Sequence, residues 1–158
     1  MGAMGARVPS LELDRLVATR DLQLERPSQP EFEGLLRSAE ARLPDAENKL
    51  NSMDSRFDLA GIWSGAAAHA LALAALRWHG YRPVKRYIVF PALAHTVDLP
   101  RASWRLLAKC HEQRNRTECE GLAPIEEALL AGLLEVTREL LVRVRELPLP
   151  AEAKLPGR

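Results

Sequence analysis

The sequence predicts an all-α protein, an up-and-down bundle of four to five main helices preceded by a short N-terminal one. Three observations predict it. Apolar residues recur at three-and-four spacing over long stretches, as in Phe32, Leu35, Leu36, Ala39 and Leu43, and again in Leu129, Leu133, Val136, Leu140, Val144 and Leu147. Proline and glycine punctuate the joins between these stretches, at Pro27, Pro30, Gly80, Pro83, Pro100, Gly121, Pro124 and Pro148. A chain of 158 residues is also the size of one domain, able to bury a single core of about 70% of its unfolded surface.

The elements follow in order. Residues 1–9 read as a flexible Gly/Ala leader, 10–147 as one domain and 148–158 as a mobile tail. Ser10 is the expected N-cap of a short helix carrying Leu11, Leu13, Leu16 and Val17 that fades near Arg20. Pro27 to Pro30 forms a loop, and Pro30 with Glu31 and Glu33 suits the start of the next helix. Pro44 falls inside that helical pattern, where a proline removes a hydrogen bond, so a kink is expected there.

Residues 51–55 are turn-like, and Asp54 or Ser55 can cap a third helix from Arg56 to about His79. Its stretch from Gly65 to Leu76 is small and apolar nearly all round, the pattern of a helix buried on several sides. Gly80 with Pro83 stops it. The segment Arg86 to Val97 contains the strand-like Tyr87, Ile88, Val89 and Phe90, but a lone strand would have nothing to pair with, so a shorter helix perturbed by Pro91 is expected. A helix from Ala102 to about Glu120 follows, then one starting at Pro124 whose apolar stripe is wide enough for both a core and a second subunit.

Hydrophobic residues make up 47% and charged residues 27%, which places the chain among ordinary globular proteins. No apolar run approaches the roughly 20 residues of a spanning helix, no signal-peptide pattern opens the chain, and a cytoplasmic protein without membrane contact is the expectation. Cys110 and Cys119 lie nine positions apart, about two and a half turns of one helix, so they point to opposing faces and suit a reducing compartment. With His111 they offer too few ligands at the wrong spacing for zinc, and no metal or cofactor is expected. Phosphate loops and the common hydrolase and metalloprotease motifs are absent.

The net charge of +1 conceals an asymmetry. From Arg77 to Arg116 there are nine basic residues against Asp98 and Glu112, a local balance of +7 within an acidic remainder of −6. Such a stretch suits an anionic partner. The candidate contacts are Arg77, Arg82, Lys85, Arg86, Arg114 and Arg116, with Trp78, His79, Tyr81 and Tyr87 interleaved where they could stack on unpaired bases.

The most distinctive stretch is Cys110-His111-Glu112-Gln113-Arg114-Asn115-Arg116-Thr117-Glu118-Cys119. Helical spacing puts His111, Arg114, Asn115 and Glu118 on one face, which is either a solvated face with one ion pair or a phosphate clamp built on the planar fork of Arg114. Arg114-Asn115 to Cys119 resembles the Arg-Asn-x-x-x-His signature of the HEPN family, the higher eukaryotes and prokaryotes nucleotide-binding domains. Ser55-Arg56-Phe57-Asp58-Leu59-Ala60 and Ala74 to Arg82 are similar to an uncharacterised bacterial branch of it.

That resemblance implies a helical homodimer with two signatures facing one cleft, binding RNA or a nucleotide in a toxin–antitoxin or defence setting. It also permits a partner, either a nucleotidyltransferase or an antitoxin. Active family members cut RNA without a metal, which makes Arg114, with His111 as a displaced base, and Cys119 the catalytic candidates for an endoribonuclease. Cys119 stands where the signature has His, and a thiol of ordinary pKa about 8.5 is a poor acid or base for a ribose hydroxyl. Arg114 and Asn115 thus carry over as phosphate-binding residues, with Asp58 the candidate support for Arg114 across the bundle. The stretch Gly61-Ile62-Trp63-Ser64-Gly65 departs from the family register.

Overall fold

Ser10 starts the first helix in the expected way: its backbone is extended, and its Oγ accepts from the Leu13 N–H at 3.3 Å. A computed structural model describes residues 10–50, 56–120 and 127–148, and for 49–50, 56–64, 113–120 and 127 only the helical path. The leader, the turn at 51–55, the helix start at Pro124 and the tail beyond Pro148 lie outside the described residues.

Helix α1 (Leu11–Ala18) ends with Arg20 in the left-handed region at φ 64°. A short strand β1 (Leu22–Leu24) leads to α2 (Gln29–Leu50), whose first turn is capped by the Ser28 Oγ accepting from Glu31 N–H at 3.3 Å. Then come α3 (Arg56–His79), strand β2 (Tyr81–Pro83), a 3-10 turn (Arg86–Val89), α4 (Leu93–Thr96), α5 (Arg101–Glu120) and α6 (Glu127–Arg145). The architecture is the all-α bundle, with α2, α3, α5 and α6 as its main helices.

The core is organised around α3, which packs on α2, α5 and α6. The reason is in its composition: Ala67, Ala68, Ala72, Ala74 and Ala75 are buried and small, so neighbouring helices approach it from several sides, while Leu71 and Leu76 fill the remaining space. Ion pairs tie α6 to α2 in antiparallel register. Arg138 pairs with Glu47, and one helical span further on Arg145 Nε donates to Glu40 at 2.9 Å.

Two expectations change. The chain contains a small antiparallel ladder, Leu22 opposite Pro83 and Leu24 opposite Tyr81. Gly80 at φ 91° turns the chain back out of α3 and makes this pairing possible, a long-range partnership that local pattern does not reveal. The Arg86 to Val97 segment is helical but broken, a 3-10 turn and a four-residue helix separated around Pro91, because a proline cannot supply the N–H that would join them. Helix α2 runs on past Pro44 to Leu50, as the resuming helical pattern implied, and Pro44 is exposed. Lastly, the wide stripe of α6 is used within the chain: Leu130, Leu133, Leu134, Val136, Leu140, Leu141 and Val144 are all buried, and Leu129 and Leu147 pack against the same core. Among the described residues of that helix, Ala128, Ala131 and Val142 are the exposed apolar side chains.

No helix among the described residues is long and apolar enough to cross a membrane.

Candidate functional site

Much of the basic segment serves the fold. Arg77, in the last turn of α3, is 1% exposed. Its Nε donates to Glu31 Oε1 at 2.8 Å, Nη1 to the carbonyls of Glu25 at 2.9 Å and Tyr81 at 3.2 Å, and Nη2 to the carbonyl of Arg26 at 2.6 Å. A guanidinium has the five donors in fixed geometry that this task requires, and it holds the β1–α2 connection against the end of α3. Arg77 is therefore a structural residue and not a nucleic-acid contact, since a buried cation with every nitrogen engaged has nothing to offer a phosphate.

Arg82 extends the same network. It forks onto Glu25 at 2.8 and 2.7 Å and reaches Glu31 Oε2 at 2.8 Å. The hydrogen bond from Arg82 holds Glu25 below the usual carboxylate range, and raises the pKa of Arg82 in turn. For Glu31, burial alone would raise the pKa, but the bonds from Arg77 and Arg82 outweigh it and the net shift is downward. Lys85 pairs with Asp21 at 2.9 Å. Arg82 and Lys85 are thus committed to carboxylates, and Asp21, Glu25 and Glu31 from the N-terminal third offset three of the seven net positive charges read along the chain.

The interleaved aromatics are mostly structural too. Tyr81 is fully buried and its hydroxyl donates to Asp14 Oδ1 at 2.7 Å, binding β2 to α1. His79 is buried with Nδ1 2.9 Å from the Ala75 carbonyl, and burial depresses its pKa. Trp78 Nε1 donates to the Pro148 carbonyl at 2.6 Å. Tyr87 alone among them is well exposed and open to stacking.

A different group of residues converges. Between α2, α3, α5 and the 3-10 turn lies a cleft of about 240 Å³, lined by Leu35, Ser38 and Arg42 from α2, Gly65, Ala66, His69 and Ala70 from α3, His111 from α5, and Arg86. Its room comes from the small residues of α3, where Gly65, Ala66 and Ala70 occupy positions that a larger side chain would fill. On α2, Ser38 and Arg42 are one turn apart and so share a face.

The rings of His69 and His111 stack, with centroids 6.0 Å apart and planes 23° apart. Phe90, itself buried, braces both, 5.5 Å from His111 and 6.2 Å edge-on to His69. Among the described residues no carboxylate lines this cleft. Among the described residues neither Arg42 nor Arg86 enters an ion pair, in contrast to Arg77, Arg82, Arg138, Arg143 and Arg145.

Of the expected site residues, then, His111 and Arg86 come together. Asp58, Arg114, Asn115, Arg116 and Cys119 have side chains outside the described residues; α5 carries the backbone on through Glu120, placing position 114 about one turn beyond His111. Cys110, one residue before His111, faces the core, and burial pushes its thiol up to about 11. It is a small apolar residue there rather than a nucleophile. Three lining residues, Ser38, Arg42 and His69, carried no functional expectation. A signal existed for one of them: His69 is the single titratable side chain in the small apolar run from Ala66 to Leu76.

No group of three or more His, Cys, Asp or Glu side chains among the described residues is placed to hold a metal ion. Compared with known protein families, curated proteins and solved structures, the chain gives no match in any of the three.

Proposed function

We propose that the chain is a HEPN-like helical protein that binds RNA or a nucleotide, as a homodimer and in a toxin–antitoxin or defence setting. One observation supports this above the rest: His111 and Arg86, expected from separate segments of the sequence, line one cleft together with Arg42 and His69, with no carboxylate among its described lining residues. Guanidinium groups outside the protein's own ion pairs are what a phosphate backbone recruits, and α5 leads from this cleft directly to Arg114 and Asn115.

The test is the salt dependence of single-stranded RNA binding. Each phosphate neutralised contributes about −0.7 to the slope of log K against log salt for single strands. Affinity is expected to fall steeply from low to moderate ionic strength, and Arg42→Gln or Arg86→Gln each to flatten the slope by about 0.7. Salt-independent binding, or no binding at low salt, refutes the reading.

A second reading, a metal-independent endoribonuclease, draws on the stacked imidazoles. Two rings 6.0 Å apart place an acid and a base side by side, with His111 serving in place of the imidazole that Cys119 replaces. Incubation of RNA with the protein in the presence of a chelator decides it. Cleavage lost in both His69→Ala and His111→Ala sustains it, and cleavage that survives either change, or never occurs, ends it.

A further inference from the structure

We propose that the cleft between α2, α3 and α5 is a site for a terminal phosphate, the dianionic phosphomonoester of a nucleotide or of a phosphorylated RNA end, held by Arg42 and Arg86 with Ser38, His69 and His111. This rests on the reading above that the ligand bears phosphate, and narrows it to the kind of phosphate.

Charge comes first. Among the described residues the lining carries two guanidinium groups and no carboxylate. A phosphomonoester brings about −1.5 to −2 at neutral pH, whereas an internal phosphodiester brings a single charge. Two fixed cations in one small cleft are compensated by the first and over-compensate the second.

Donor count points the same way. Each arginine fork can engage two oxygens side by side, and Ser38 adds a hydroxyl. A phosphomonoester presents three terminal oxygens to such a set, and a diester presents two.

Shape is the third argument. At about 240 Å³ the cleft is smaller than the roughly 300–1,000 Å³ of sites that enclose a whole drug-sized ligand, so it takes the end of a molecule. The apolar wall of Leu35, Ala66 and Ala70 offers nothing to a run of charged backbone, and Phe90 beneath the imidazoles closes the interior. Tyr87, adjacent in sequence to Arg86, is exposed and open to stacking with a base.

The experiment uses the full chain and two versions of one single-stranded oligoribonucleotide, differing only in a 5′-phosphate or a 5′-hydroxyl. Calorimetric titrations of a nucleoside monophosphate and its nucleoside run beside it. A charge-assisted set of this kind predicts roughly ten- to a hundred-fold tighter binding of the phosphorylated end. Arg42→Gln combined with Arg86→Gln is expected to erase that preference while leaving the circular dichroism and melting temperature unchanged, since both arginines are exposed and outside the ion pairs of the fold.

The two sources separate cleanly. A monophosphate that binds while its nucleoside does not identifies a free nucleotide as a sufficient ligand; a preference confined to the RNA identifies the phosphorylated end, and either result upholds the proposal if the double variant loses it. Equal affinity for both RNAs, with the monophosphate no better than the nucleoside, overturns the proposal and leaves RNA binding standing. A preference that persists in the double variant overturns it as well, by placing the phosphate elsewhere. If no RNA and no monophosphate bind, the proposal and the wider reading fall together.

Discussion

Replacing Arg77 separates a structural from a ligand-binding role for the most basic part of the chain. Arg77→Met keeps the length and apolar volume of the side chain and removes its charge. What it leaves behind is specific: the Glu31 carboxylate, 28% exposed, loses its Nε partner, and the carbonyls of Glu25, Arg26 and Tyr81 lose theirs. Breaking a buried ion pair by removing one partner costs about 3–5 kcal/mol. Arg82 remains within hydrogen-bonding distance of both Glu25 and Glu31 and retains part of their compensation, so the lower end, about 3 kcal/mol, is the expectation. In a domain of this size that corresponds to a fall in melting temperature of roughly 6–12 °C.

Urea denaturation measures it, with the midpoint shifting and the slope unchanged if only stability is altered. Arg77→Lys is the sharper variant, because an ammonium keeps the charge but cannot span four acceptors in the plane of a fork. It is expected to lose most of the same stability and, where the protein remains folded, none of its RNA affinity. An Arg77→Lys protein of unchanged stability with weakened RNA binding would refute the structural assignment.

Two further outcomes follow from the same structure. Gly34 lies within α2 with open space where a Cβ would be, so Gly34→Ala is expected to stabilise by about 0.5–1 kcal/mol through helix propensity alone, read as a higher urea midpoint. Stability should also fall on acidification in two stages. His79 is held neutral by burial, with a folded pKa below the ordinary 6.5, so the unfolded chain takes up its proton first and stability declines as pH drops through and below 6.5; His79→Gln should remove that stage. Glu25 and Glu31 have folded pKa values below the ordinary 4.5, so their contribution is complete above 4.5 and is lost as pH falls through the depressed values. Melting curves across this range check both, and a flat profile from pH 7 to pH 5 in the wild type would contradict the assignment of His79.

The helices were legible in the sequence because their signals are local. Ser10 caps α1, Gly80 stops α3, and the three-and-four spacing of α2 and α6 needs no knowledge of any partner. The β1–β2 ladder was not legible, since Leu22 and Pro83 are brought together only by the packing of α2 and α3, which lie between them in the chain. Charge behaved in the same way. Counting along the chain made the stretch from Arg77 to Arg116 look uniformly cationic, yet Glu25, Glu31 and Asp21, distant in sequence, neutralise its first half once the chain is folded. The cationic surface that remains is defined by subtraction. Arg86 is what is left of that first half, and Arg42 joins it from a helix whose own sequence is unremarkable in charge. A linear count of arginines measures how many cations a protein has, whereas the carboxylates packed against them decide which ones a phosphate can reach.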